Sequence, residues 1–120
     1  MDSSELLTSI CEALESLNAS RLAGHYAESA EFIDAADAQL VKGKVALLGM
    51  YERLFSVPAT RFTVTSAFIA EDQAAIEWIW EADNPETGEH RSVSGASIIR
   101  MQEGEISRET IYYDGRQAPV

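Results

Sequence analysis

"SIIRMQEGEISRETIYYD" runs from Ser97 to Asp114 and breaks in the middle at Gln-Glu-Gly-Glu. A glycine turn between two arms rich in isoleucine and tyrosine predicts a β-hairpin. In the second arm, alternation puts Ile106, Thr110, Tyr112 and Asp114 on one side and Ile111 and Tyr113 on the other. An acid therefore ends a strand of aromatic and branched residues. Two readings of Asp114 stay open: a carboxylate at the mouth of an apolar pocket, or the first residue of an ordinary Asp-Gly turn.

Outward from this hairpin the pattern repeats. "TRFTVTSAFIA" alternates Phe62, Val64, Ser66 and Phe68 against Thr63, Thr65 and Ala67. "QAAIEWIWEAD" sets Ile76, Trp78 and Trp80 against Glu77, Ile79 and Glu81. "NPETGE" punctuates the chain before "HRSVSGASIIRM", where Gly95 is expected to mark a bulge or bend. The first half reads as helical instead. Leu6, Leu7, Ile10, Leu14 and Leu17 form one stripe, with Ser3 or Ser4 as its cap. "LNAS" interrupts it, and Ser20 is placed to cap a short second helix carrying Leu22, His25 and Tyr26. "AEFIDAAD" reads as a short strand entering a loop. Gly43 opens a third helix with Leu47, Met50, Tyr51 and Leu54 on one side, and Pro58 stops it. Three helices followed by an antiparallel meander make an α+β fold, with the helices on one face of one sheet.

The 120 residues suit one domain, 1–120, with one core. No apolar run approaches the roughly 18 residues of a membrane span, and "MDSSELL" lacks the pattern of a signal peptide. A cytoplasmic, membrane-free protein is expected. Twenty acids against nine bases give a net charge of −11, which repels phosphate backbones and anionic surfaces, so no nucleic-acid partner is expected. The single cysteine, Cys11, excludes an intrachain disulfide. No His/Cys ligand spacing, glycine-rich phosphate loop or nucleophile elbow appears, so neither metal nor cofactor is expected.

"LESLNASRLAGHYAESAEFID", "VKGKVALLGMYERLF" and the "G-x-I…YYD" ending, in that order, resemble the SnoaL-like branch of the NTF2-like superfamily. Ketosteroid isomerase, limonene-epoxide hydrolase and polyketide cyclases are its relatives. The resemblance covers essentially the whole chain. It implies a cone of three N-terminal helices on a curved, mainly antiparallel sheet of four to six strands. It also implies a homodimer joined through the open sheet face.

The resemblance implies site residues as well. Asp34 falls where ketosteroid isomerase keeps its proton-shuttling carboxylate, but Ala13 replaces its tyrosine and Ser97 stands near the place of its protonated acid. Asp114 matches the closing carboxylate of the epoxide hydrolase, whose arginine and aspartate are replaced by Trp78 and Trp80. A polyketide cyclase asks only for an acid near the end of the last strand, which Asp114 supplies. The expected activity is cofactor-independent acid/base chemistry on a small apolar carbonyl or epoxide-like molecule. Asp34 and Asp114 would be catalytic, while His25, Trp78, Trp80, Ser97 and Tyr112 would bind the ligand. The alternative is a non-catalytic binding or dimerisation module of the same fold.

Overall fold

The computed structural model describes Met1–Val120 and has the element order α1 (Ser3–Glu15), α2 (Ala19–Gly24), β1 (Tyr26–Asp34), β2 (Gln39–Lys42), α3 (Lys44–Phe55), β3 (Arg61–Ala70), β4 (Gln73–Asp83), β5 (His90–Gln102) and β6 (Glu105–Tyr113). A 3₁₀ turn, Gly115–Gln117, follows. The six strands form one sheet in the order β2-β1-β6-β5-β4-β3. Only β1 and β6 run parallel. Three helices against one curved sheet give the expected α+β cone. No helix is long and apolar enough to cross a membrane.

The helices differ from expectation only at their ends. Asp2, not Ser3 or Ser4, caps α1, and it forms a reciprocal capping box with Glu5. Asn18 rather than Ser20 caps α2. The second helix stops at Gly24, so His25 is its C-cap and Tyr26 already belongs to a nine-residue strand. The short edge strand β2 carries no alternation strong enough to announce itself, with three of its four residues exposed. In α3, Leu47 and Tyr51 are buried as the helical stripe requires.

The core is one cluster in which the inner sheet faces meet the helices. From β4 it takes Ala74, Ile76, Trp78, Trp80 and Ala82; from β5, Val93, Ile99 and Met101. The expected grouping of Ile76 with both tryptophans holds. The hairpin between β5 and β6 turns through Glu103 (φ 53°) and Gly104 (φ 77°), the left-handed pair a tight two-residue turn needs.

Gly95 is not at a bulge. Its pairing with Trp78 on one side and Tyr113 on the other is uninterrupted. A Cβ placed there would lie 2.3 Å from Trp78 Cη2 and 2.7 Å from Cζ2 and Cζ3. The glycine makes room for the indole. The bulge falls two turns of pleat away, where Arg100 pairs with Arg108 but Met101 already pairs with Ile106. Ser107 is the extra residue, and it reverses the parity of β6. Ile106 and Glu109 both point inward, followed by Ile111 and Tyr113; Thr110 and Tyr112 face out. The same pairing sets Arg100 opposite Arg108, not opposite an acid, and neither forms an ion pair.

Gly95→Ala should reduce stability by about 1–3 kcal/mol through overpacking. The penalty should shrink in a Trp78→Phe background, which removes the ring atoms in the way. Denaturant unfolding of the four-protein cycle measures the coupling; strictly additive effects would reject this role for Gly95.

Candidate functional site

Between the helices and the inner sheet face lies a cavity of about 190 Å³ with 14 of its 17 lining residues hydrophobic. Helix α1 supplies Ile10 and Leu14, and α3 supplies Met50, Tyr51 and Leu54. The opposite wall is Phe62, Ile76, Trp78 and Trp80. For scale, a cavity of about 150 Å³ holds benzene. A guest of one ring with a short substituent fits, whereas a four-ring steroid is too large to be enclosed.

Glu109 is the acidic group on the cavity's inner wall, and only 6% of its surface is exposed. The bulge that turns β6 puts it there. Tyr26 donates its hydroxyl to Glu109 Oε1, and the Tyr26 and Tyr51 hydroxyl oxygens are 2.5 Å apart. Each hydroxyl has one hydrogen. With Tyr26 committed to Glu109, the Tyr51 hydroxyl donates to Tyr26, so α3, β1 and β6 are tied by one ordered chain. Burial pushes the Glu109 carboxyl above the usual range, and the Tyr26 and Ser97 hydroxyls pull it part of the way back. Burial also raises both tyrosines well above their ordinary values, with the neighbouring Glu109 adding to it. Ser97 is buried on the same wall and accepts a hydrogen bond from Trp78 Nε1 at 3.0 Å.

Asp34 lines the same cavity and is only half-buried. Its Oδ2 accepts from the Tyr113 hydroxyl at 2.7 Å, and its Oδ1 from the backbone N–H groups of Ala36 and Asp37 at 3.0 and 3.3 Å. Burial and this carboxylate raise the Tyr113 pKa. Phe32 pairs with Glu109 and Asp34 with Ile111, so the two acids sit diagonally on adjacent strands. Strand rise and spacing put their Cα atoms about 8 Å apart. They form a buried and a half-buried carboxyl of one hollow.

Of the residues expected at the site, Asp34, Trp78, Trp80 and Ser97 line the cavity together. Three do not. Asp114 accepts from Arg116 Nε and Nη2 at 3.0 and 2.9 Å and from its backbone N–H at 3.0 Å, capping the 3₁₀ turn. The Arg116 bonds hold its carboxyl below the usual range. It is the turn acid of the two readings. Tyr112 is 52% exposed on the outer face because of the parity change. His25 Nε2 lies 2.7 Å from Ser9 Oγ, outside the cavity, and partners neither Asp34 nor Asp114. Burial, with Arg21 and Lys44 nearby, lowers its pKa.

Glu109, Tyr26 and Tyr51 were not expected at the site. An acid amid strand residues, with Tyr26 and Tyr51 on separate apolar stripes, carried a signal visible only once the bulge was known.

The chain matches the model of the SnoaL-like domain over residues 7–109. It belongs to that family. Solved structures agree on the fold. A ketosteroid isomerase-like protein from Catenulispora acidiphila, in complex with trimethylamine, is 21% identical with a TM-score of 0.83, covering 97% of this chain and 90% of its own. An NTF2-like protein of unknown function from Mesorhizobium loti is 23% identical with a TM-score of 0.80, covering 93% and 90%. A protein assigned as a SnoaL-like polyketide cyclase from Shewanella denitrificans is 12% identical with a TM-score of 0.78, covering 95% and 91%. No curated protein is matched by sequence.

The raised Glu109 pKa has a direct consequence for stability. The folded state binds a proton at Glu109 more tightly than the unfolded chain, whose glutamates titrate at about 4.3. Its contribution is complete below that pH and is lost as pH rises through the higher folded pKa. Glu109→Gln should therefore flatten the fall in stability across this window, measured by urea unfolding at several pH values. Parallel curves for both proteins would contradict the assignment.

Proposed function

We propose that this member of the SnoaL-like family is a cofactor-independent isomerase, cyclase or hydrolase that works by carboxylate acid/base chemistry. Its substrate is a small, largely apolar molecule bearing a carbonyl or epoxide-like oxygen. The observation that carries this reading is the Glu109 carboxyl, buried within an apolar cavity and joined to Tyr26. A carboxyl whose burial favours the neutral form is able to give a proton at a pH where exposed carboxylates have none to give. Glu109 would protonate the substrate oxygen as charge develops on it. Asp34, half-buried and supported by Tyr113, would accept a proton from carbon or from attacking water. Trp78 and Trp80 would hold the apolar body, and Ser97 would fix the Trp78 ring. The Catenulispora acidiphila protein, in complex with a small organic molecule, supports small-molecule binding by this fold.

A panel of one-ring enolisable ketones and epoxides tests the reading by product formation. Glu109→Gln and Asp34→Asn should each lower turnover by about 100-fold or more, while Asp114→Asn leaves it near the native rate. Full activity in both of the first two variants would remove the mechanism.

A second reading, a binding or dimerisation module, is favoured by the outer sheet face. Phe68, Ala75 and Ile98 pair across β3, β4 and β5, and Ala96 pairs with Tyr112 beside them. Phe68, Ile98 and Tyr112 are 61%, 47% and 52% exposed. An apolar patch of this kind marks an association surface, here proposed to join two copies of the chain. Light scattering after size exclusion should give twice the 13.2 kDa chain mass, and Ile98→Glu should give the single mass. A native monomer at micromolar concentration would contradict the dimer.

A further inference from the structure

The cavity has negative charge available to it and no positive side chain set against it. Glu109 and Asp34 belong to its lining, and no lysine, arginine or histidine does. Seven lining residues are aromatic, among them Phe62, Trp78, Trp80 and Tyr51. A buried carboxylate needs a counter-charge, and an aromatic wall does not provide one. The ring faces do attract ammonium groups, more strongly where water is excluded.

From this juxtaposition we infer that the cavity's guest is a small protonated amine, its apolar body among the rings and its ammonium against Glu109. The inference rests only on reading this cavity as a ligand site; with the ammonium in place Glu109 is a carboxylate, so this guest occupies the cavity in place of the oxygen-bearing substrate proposed above. The groups facing Glu109 leave the counter-charge to the ligand. Strand β1 presents Tyr26 and Asp34; α3 presents Tyr51, β5 Ser97 and β6 Tyr113. Helices α1 and α2 present only Ile10, Leu14 and Leu22, and β4 only Ile76, Trp78 and Trp80. The net charge of −11 draws cations toward the molecule from a distance.

Binding is then coupled to a proton. Without a guest, burial favours the neutral Glu109 carboxyl; an ammonium beside it favours the carboxylate. The ammonium takes the place of the carboxyl proton, which passes to solvent. Below the folded pKa of Glu109, amine affinity rises with pH and about one proton leaves per guest bound. Above it, affinity is level until the amine itself deprotonates.

Calorimetric titration of the native protein with cyclohexylamine, cyclohexanol and methylcyclohexane tests this. Two buffers of different ionisation enthalpy report the proton. Cyclohexylammonium should bind about tenfold or more tightly than either neutral ring, releasing about one proton at acidic pH. Glu109→Gln, with folding checked by thermal denaturation, should lose both the preference and the proton release. Cyclohexanol binding as tightly as the amine would overturn the inference and leave the ligand-site reading intact. No binding by any of the three would count against both. A preference for the amine that survives Glu109→Gln would overturn the assignment to Glu109.

Discussion

One extra residue in β6 decides which of its side chains face the cavity. Strand side chains alternate with period two, so a single bulged position exchanges the faces of everything beyond it. Ser107 does this between Ile106 and Arg108. Without the bulge, Ile106 would share its face with Thr110 and Tyr112, and Glu109 would stand in solvent. With it, Glu109 meets Tyr26 and Tyr51 within the apolar cavity, and Tyr112 is released to the outer face. The inward place of Glu109 and the outward place of Tyr112 follow from that local irregularity, while a second bulge in β3, at Thr65, turns Phe68 to the outer face. Burying a carboxyl is costly unless its oxygens find donors, and the Tyr26 hydroxyl meets that need.

The same irregularity divides what was legible in the sequence from what was not. Periodicity carried the three helices, the existence of β3–β6 and the shared face of Ile76, Trp78 and Trp80. It did not carry the single stripe expected of β3, where the extra residue Thr65 leaves Phe62 and Val64 facing in and Ser66 and Phe68 facing out. Asp34, singled out through the family resemblance, lies on a wall of the cavity. Ser97 stood on the correct face because the pairing of β4 with β5 has no bulge. Asp114 and Tyr112 misled because extrapolating alternation through Ser107 gives the wrong parity. Gly95 misled differently. A glycine within a strand permits unusual backbone or close approach of another group, and only coordinates show that the group is the Trp78 ring. The helix caps shifted by a residue or two, as helix ends do.

The two sheet faces divide the labour of the domain. The inner face turns aromatic rings and two carboxyl groups toward a hollow sized for one ring. The outer face sets Phe68, Ile98 and Tyr112 among Glu77, Arg100 and Arg108, an apolar centre within a charged surround. Because neighbouring residues on a strand serve opposite faces, Tyr112 and Tyr113 act in different settings although adjacent: one is exposed outside, the other donates to Asp34.

The ordered run from Tyr51 through Tyr26 to Glu109 also has a polarity. While Glu109 is charged, every hydrogen in the run points toward it, and Tyr51 shows the hollow only lone pairs. Once the carboxyl is neutral, its own hydrogen permits the opposite sequence, in which Tyr26 donates to Tyr51 and the Tyr51 hydrogen turns inward. A neutral Glu109 thereby admits a donating Tyr51 that a charged one forbids, with no heavy atom displaced.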